Sequence, residues 1–261
     1  MLTQKPRHNE NISLTFDGTF EGFLSVVHAV YYEKLAPATI QTENSEQLTL
    51  FGANAKADVG SRFISTDGKK AVRVFSAIRE KISPEAADYI LYAFLSEENG
   101  RFLPMLQYIK LGFSVGHMVN SHLHEDCVPL IRKLARQVGR EAHLLTGFCR
   151  FEETSTALYC PVTPKNDVLQ LLATHFSQRI MNEAWVIHDK TRKKAAIYDG
   201  KSYVILPAEN AEITHTAEEA ETRELWTTFF NALVIKERVK PKLQRQLVPL
   251  YFRKNMTEFK Q

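Results

Sequence analysis

Apolar residues recur at helical spacing through most of the first half of the chain, and short strand-like runs separated by turn residues enter later. Residues 14–16 read as a short strand closed by Asp17-Gly18. Thr19 then caps a helix whose apolar stripe is Phe20, Phe23, Leu24, Val27 and Tyr31, and which stops before Pro37. From 43 to 61 the chain is polar, rich in Asn, Ala and Gly and without sustained period, which predicts a long surface loop. Helices are expected again over 70–81, with Ala71, Val74, Phe75 and Ile78 inward, over 84–95, and around 102–113.

The most legible element is a helix over about 126–145. Its apolar positions Val128, Ile131, Leu134, Ala135, Val138, Ala142 and Leu145 fall within an arc of about 120° at the helical angle. Arg132, Lys133, Arg136, Arg140 and His143 fall in a second arc of about 100° on the other side. One face packs and the other presents cations.

Strands follow at 148–151 and 158–162, then a helix over 166–180 and a meander of 185–188, 195–198 and 203–206, whose second turn is Asp199-Gly200. Thr216 with Glu219 has capping-box spacing and opens a helix with Leu225, Trp226, Phe229, Phe230 and Leu233 inward. Helices first and antiparallel strands after them predict an α+β fold, helix-rich in its N-terminal half, with antiparallel strands packed on helices in the C-terminal half. The expected division is 1–125, mostly helical with a short initial strand, and 126–261, an α+β region with the meander. One continuous domain is the alternative.

Composition narrows the class. A chain of 261 residues with 44% hydrophobic residues and only 11 Gly and 10 Pro can bury a core, which excludes collagen-like and low-complexity readings. No apolar run reaches the roughly 18 residues of a membrane span and the first ten residues lack a signal-type apolar core, so a cytoplasmic protein without membrane partners is expected. Cys127, Cys149 and Cys160 are odd in number and far apart, which argues for free thiols and against a cysteine cluster site.

The net charge of +3 is small, yet the charges are segregated. Residues 236–261 hold eight Lys or Arg against two Glu, and 131–150 hold five against one, whereas 209–224 hold six Glu against one Arg. A polyanion such as nucleic acid suits that distribution, as do merely solvated basic helix faces. In the tail, Tyr251, Phe252 and Phe259 lie among Lys and Arg; packing is the expected role of the rings, and solvent or phosphate that of the cations.

Val168, Leu169, Leu172, Phe176 and Ile180 define the apolar face of the 166–180 helix, yet His175 and Arg179 project into the same arc, where they either line an anion-holding pocket or are accommodated as a satisfied core histidine and a snorkelling arginine. Arg140, Glu141 and His143 precede Gly147, Phe148, Cys149 and Arg150. Arg suits bidentate phosphate contact and His can shuttle a proton, so His143, His175 and Glu141 are the catalytic candidates. Arg132, Arg136, Arg140, Arg150, Arg179 and Arg192 are the candidates for nucleic-acid contact, Arg192 because it sits with Lys190, Lys193 and Lys194 at the first meander turn. His117, His122, His124 and Cys127 match no metal-site spacing, and a polar inter-helix loop is expected there. No metal and no cofactor is expected, since phosphate-binding glycine loops, a G-x-S-x-G elbow and the C-x₃-C-x₂-C cluster motif are absent.

Three groups of letters read together: Asp17-Gly18-Thr19-Phe20-Glu21-Gly22-Phe23, Gly139-Arg140-Glu141-Ala142-His143 with Gly147-Phe148-Cys149-Arg150-Phe151, and His175-Phe176 through Arg179. They resemble an uncharacterised bacterial family, domain of unknown function 4130, described as a probable DNA metabolism protein linked to a radical-SAM enzyme. The similarity extends along the whole chain, through 195–200, Leu225-Trp226 and 241–259. The resemblance implies DNA as a partner, a role in repair or modification, and a radical-SAM protein encoded nearby. Some relatives carry a uracil-DNA-glycosylase-like domain after this one; the chain is expected to end before it, and without that domain's motifs no glycosylase activity is expected.

The leading expectation is thus an accessory protein without independent activity that binds nucleic acid and works with the radical-SAM partner. A metal-dependent or acid/base phosphodiesterase or nucleotide-processing enzyme is one alternative. A structural adaptor for the radical-SAM protein is the other.

Overall fold

The computed structural model describes residues 10–43, 60–209, 216–233 and 240–259. Most of the expected loop over 43–61 lies outside the described residues. The chain divides into two compact units, Met1–Gln137 and Val138–Gln261, and its class is α+β, as expected.

In the first unit, β1 (Glu10–Phe16) runs into α1 (Phe20–Tyr32), and the chain returns as β2 (Ala36–Thr42) parallel to β1. A third strand, β3 (Ser61–Phe63), pairs parallel on the other side, giving the order β2-β1-β3. This region is mostly helical, but its initial strand is joined by two more, β2 and β3, that were hidden. Only Ile40 of β2 is buried, so the strand shows no two-residue alternation. Its Pro37 lies opposite Ile12 where the register shifts, a place an edge strand tolerates.

The turn from β1 into α1 explains the first motif. Gly18 takes φ +82°, and Asp17 Oδ1 accepts hydrogen bonds from the Thr19 backbone (3.0 Å) and hydroxyl (2.7 Å), while Oδ2 accepts from Thr66 (2.6 Å). Thr19 in turn caps α1 by accepting from the Gly22 N–H at 2.9 Å. Burial raises the Asp17 carboxyl, but the bonds from Thr66 and Thr19 outweigh it and hold the group below its ordinary value. A Cβ on Gly22 would stand 2.1 Å from Asp17 Oδ1, so that position admits only glycine without rearrangement.

Helices α2 (Gly68–Lys81), α3 (Pro84–Phe94) and α4 (Phe102–Val115) follow within a residue or two of expectation, capped by Asp67 and Ser83 at the first two. Their apolar faces meet α1 and β1 around Phe16, Phe23, Phe94 and Phe102, whose rings contact one another at 5.0–6.4 Å. Such edge-to-face and tilted pairs add to the area they bury.

Helix α5 (Cys127–Phe148) outruns its expected end by three residues, and the Cys149 N–H still donates to the Leu145 carbonyl. The strand expected over 148–151 is therefore helix and turn; only Glu152–Glu153 (β4) is extended. Continuing the helical hydrogen bonds outweighs the strand preference of its aromatic residues.

The second unit holds a five-stranded sheet, β4-β5-β6-β7-β8, with β5 (Leu158–Val162), β6 (Trp185–Asp189), β7 (Lys194–Tyr198) and β8 (Tyr203–Pro207). The meander β6-β7-β8 is antiparallel, as its turn residues predict, with Gly200 at φ +92°. The β5–β6 pair is parallel, because α6 (Leu169–Arg179) crosses between them and returns the chain in the same direction. Trp185 is fully buried and stacks on Tyr198 at 5.0 Å, while Phe151 and Phe176 close the same core.

Two segments complete the unit. Helix α7 (Ala217–Leu233) opens with the Glu219 N–H donating to Thr216 Oγ1 at 3.2 Å, yet its apolar stripe is not inward: Leu225, Phe229 and Leu233 are each more than half exposed. The side chain of Phe230 lies outside the described residues. The helix is held instead through polar groups and Trp226, described below. Helix α8 (Pro241–Leu247) and two short 3₁₀ turns end the chain, with Met256 buried and Phe252 packed against Phe148 at 5.4 Å. The tail rings pack, as expected.

Candidate nucleic-acid interface

Helix α5 sorts its side chains as the two arcs predict. Val128, Ile131, Leu134, Ala135, Val138, Ala142 and Leu145 are buried, whereas Lys133, Arg136, Arg140 and His143 are exposed. Among the described residues no hydrogen bond or ion pair engages the Arg136 or Arg140 guanidinium. Arg132 is half-buried, and its Nη1 donates to the Asn120 carbonyl at 3.4 Å.

Glu141, one residue from Arg140, points the opposite way. It is 8% exposed, and its carboxylate accepts from the Lys165 N–H at 2.7 Å, the Asn166 N–H at 2.9 Å, the Asn166 amide at 2.6 Å and the Tyr251 hydroxyl at 3.2 Å. Every acceptor site of the carboxylate is directed at the loop between β5 and α6 or at the tail. Burial, followed by the Glu141 charge, pushes the Tyr251 phenol well above its ordinary value.

Arg192 is committed to the same loop. It pairs with the fully buried Asp189 at 3.1 Å and donates to the carbonyls of Pro164 and Lys165. Asp189 also accepts from the Thr191 and Arg192 backbones at 2.9 and 3.1 Å, and Lys194 pairs with Asp167. The exposed cations of this turn are Lys190 and Lys193, the latter at φ +52°.

His175 and Arg179 lie outside the apolar stripe of α6, which is Leu169, Leu172, Ala173 and Phe176, and both are exposed. Neither lines the two cavities described below. Arg179 sits in the last helical turn, where the macrodipole favours a cation. His143 and His175 are thus exposed, whereas Glu141 is buried and its carboxylate is engaged with Lys165, Asn166 and Tyr251.

Arg150 lies over the Trp226 ring at 5.0 Å, beside a small cavity of about 150 Å³ that also carries Glu152, Glu219 and Arg223. Arg223 joins the two buried carboxylates, Glu152 at 2.7 Å and Glu219 at 2.8 Å, and Glu219 also accepts from the Glu153 N–H. Glu219 and Arg223 stand at helical i,i+4 spacing and were open to notice, but Glu152 lies 67 positions before Glu219 and nothing local marks it.

Sequence reading also missed Tyr159 and His188. The phenol, pushed up to about 12 by burial and then by the charge of Glu152, lies 2.9 Å from His188 Nδ1, whose Nε2 faces the Ala208 carbonyl at 3.2 Å. In a neutral imidazole this arrangement has Nε2–H donating to the carbonyl and Nδ1 accepting from the phenol.

A cavity of about 510 Å³ lies in the first unit between α1 and α2 and was not anticipated. His28, Tyr31 and Tyr32 of α1 face Arg73 and Lys81 of α2, with Phe113 of α4 at one side. The signal was present in part: 28, 31 and 32 share a helical face, as do 73, 77 and 81, but nothing local says that the two faces meet.

His122 and His124 contact each other at 5.7 Å and His122 Nδ1 meets the Met118 carbonyl; among the described residues no group of three or more His, Cys, Asp or Glu is placed to hold a metal ion. The three cysteines are free thiols. Among the described residues no helix is long and apolar enough to cross a membrane.

No curated protein matches the chain. A family model for a domain of unknown function, DUF4130, matches residues 99–258. That span contains Arg132, Arg136, Arg140, His143, Arg150, His175, Arg179 and Arg192, and leaves out Asp17–Phe23 and the cavity residues His28, Tyr31, Tyr32, Arg73 and Lys81 on α1 and α2. Since the match takes in more than half of the sequence, the chain belongs to the DUF4130 family of domains of unknown function.

Proposed function

We propose that the protein binds nucleic acid through the exposed face of α5 and serves as an accessory in DNA repair or modification, handing its ligand to a radical-SAM partner. The observation that carries this reading is the pair Arg136 and Arg140, four residues apart on one helix, exposed and without a carboxylate partner among the described residues. A guanidinium left unpaired at a surface keeps its five donors available, and phosphate oxygens match their geometry. Lys133 and His143 extend the same face. The choice of DNA and of the radical-SAM partner comes from the sequence resemblance alone.

Contacts of this kind release condensed counterions, so affinity falls as salt rises. Arg136→Ala with Arg140→Ala is expected to reduce the slope of log K against log salt by about 1.8 on duplex DNA, two contacts at about 0.9 each. Fluorescence anisotropy of a labelled duplex over a salt series reads this directly. An unchanged slope removes the arginine face from the proposal.

The adaptor reading is favoured by a separate observation, the exposed Leu225, Phe229 and Leu233 on α7. A stripe of this kind suits a protein partner better than a polyanion. If it recruits the radical-SAM protein, Leu225→Asp with Phe229→Asp abolishes co-purification of the two while leaving the DNA salt slope unchanged. Retained co-purification rejects α7 as the contact.

A further inference from the structure

We infer that the cleft between α1 and α2 is a nucleotide site, in which a base stacks on Tyr32 and its phosphate is met by Arg73 and Lys81. This site belongs to the first unit and does not depend on the arginine face of α5.

The chemistry of the walls selects this ligand. His28 and Tyr32, one helical turn apart, stack with centroids 4.1 Å apart and planes inclined by 16°. Together they make a continuous aromatic surface whose outer ring, Tyr32, is 62% exposed. Tyr31 is braced edge-on against Phe113 at 5.6 Å, which fixes a second ring at the mouth. Arg73 holds its guanidinium over the Tyr32 ring, 5.6 Å from the centroid, so a cation stands at the stacking platform itself.

Charge points the same way. Among the described residues no acid lines the cleft, and neither Arg73 nor Lys81 has a hydrogen-bonded or ion-paired partner. The two acids whose charges reach His28 are otherwise engaged: Glu33 pairs with Arg62 at 2.6 Å, and Asp67 caps α2 and meets Lys70 at 3.4 Å. Burial and then the charges of Lys70 and Arg73 hold the His28 imidazole below its ordinary value, against smaller opposing effects of Asp67 and Glu33. The ring is therefore neutral at pH 7 and stacks without a charge of its own, inside a cationic field.

Size fits as well. A volume of about 510 Å³ lies within the roughly 300–1,000 Å³ of small-molecule sites. An aromatic platform with adjoining cations is also how sequence-independent sites hold unpaired bases. The same base-and-phosphate chemistry is offered by a free mononucleotide and by an unpaired nucleotide within a single strand, and the test separates them.

The full chain is titrated with adenosine 5′-monophosphate, with adenosine, with inorganic phosphate and with a short oligo(dA), following heat by calorimetry. The wild type is expected to bind the monophosphate or the oligonucleotide more tightly than adenosine or phosphate alone. Tyr32→Ala is expected to weaken that binding roughly 5- to 150-fold, the equivalent of one lost base stack. Tyr32→Phe keeps it, and Arg73→Ala weakens the monophosphate but not adenosine. Tyr32 and Arg73 are exposed, and circular dichroism confirms that each variant is folded.

Comparable binding of both probes identifies a free-nucleotide site; binding of oligo(dA) alone, lost in Tyr32→Ala, identifies a single-strand site. If neither probe binds, or if Tyr32→Ala and Arg73→Ala leave binding unchanged, the inference is wrong. Its failure is distinct from that of the arginine face: duplex binding that depends on Arg136 and Arg140 survives loss of the cleft, and nucleotide binding in the cleft survives an unchanged duplex slope.

Discussion

Glu141→Ala is expected to lower the stability of the protein by about 3–5 kcal/mol, because several hydrogen bonds to a charged acceptor, worth about 1.5–3 kcal/mol each, are lost together. The Glu141 carboxylate organises the loop between β5 and α6. Two backbone N–H groups, an amide and a phenol converge on it. Each buried donor left unsatisfied costs about 1–3 kcal/mol. Water can reach the loop beside the exposed Lys165, which keeps the total below the simple sum. Glu141→Gln should fall between the two, since its amide replaces an acceptor with a donor that faces other donors. Urea denaturation measures both variants. A loss below about 1 kcal/mol for the alanine variant would mean that the loop is held by something else.

Asp189→Ala is expected to cost a comparable amount, about 3–5 kcal/mol, for a related reason. Asp189 is fully buried, and its partner Arg192 has a side chain only 14% exposed. Removing the carboxylate leaves a guanidinium desolvated without its counter-charge, and it also releases the Thr191 and Arg192 backbone N–H groups that shape the β6–β7 turn. Arg192→Ala is expected to cost less, because Asp189 retains those two backbone donors. Thermal unfolding of the two variants tests that order. If Arg192→Ala is the more damaging, the carbonyls of Pro164 and Lys165, and not Asp189, are what Arg192 chiefly serves.

These two residues also show where sequence reading stops. Glu141 and Arg140 are neighbours and both drew attention as chemically capable. On a helix, adjacent side chains diverge by about 100°, and the tertiary environment sends one inward to the 163–168 loop and leaves the other exposed. Arg192 was marked by the positive charge around it, yet it is half-buried, as is Lys194, and Lys190 and Lys193 are the exposed members of that group. His175 and Arg179 were read as intruding on an apolar stripe. The stripe is in fact centred on Leu169 and Phe176, with the two polar chains beyond its edge.

What the sequence determined by itself is whatever depends on neighbours within a turn or two: the helices and their caps at Thr19 and Thr216, the Asp199-Gly200 hairpin, and the two faces of α5. These follow from backbone sterics, capping hydrogen bonds and the period of apolar residues, all of which act over a few positions. Tertiary structure alone decided the parallel pairing of β1 with β2 and β3, the junction of Glu141 with Tyr251 across 110 positions, the exposure of α7's apolar stripe, and the meeting of α1 and α2 that makes the cleft. Such features depend on which surfaces bury one another, and that free energy is shared over the whole core and carries no local mark in the chain.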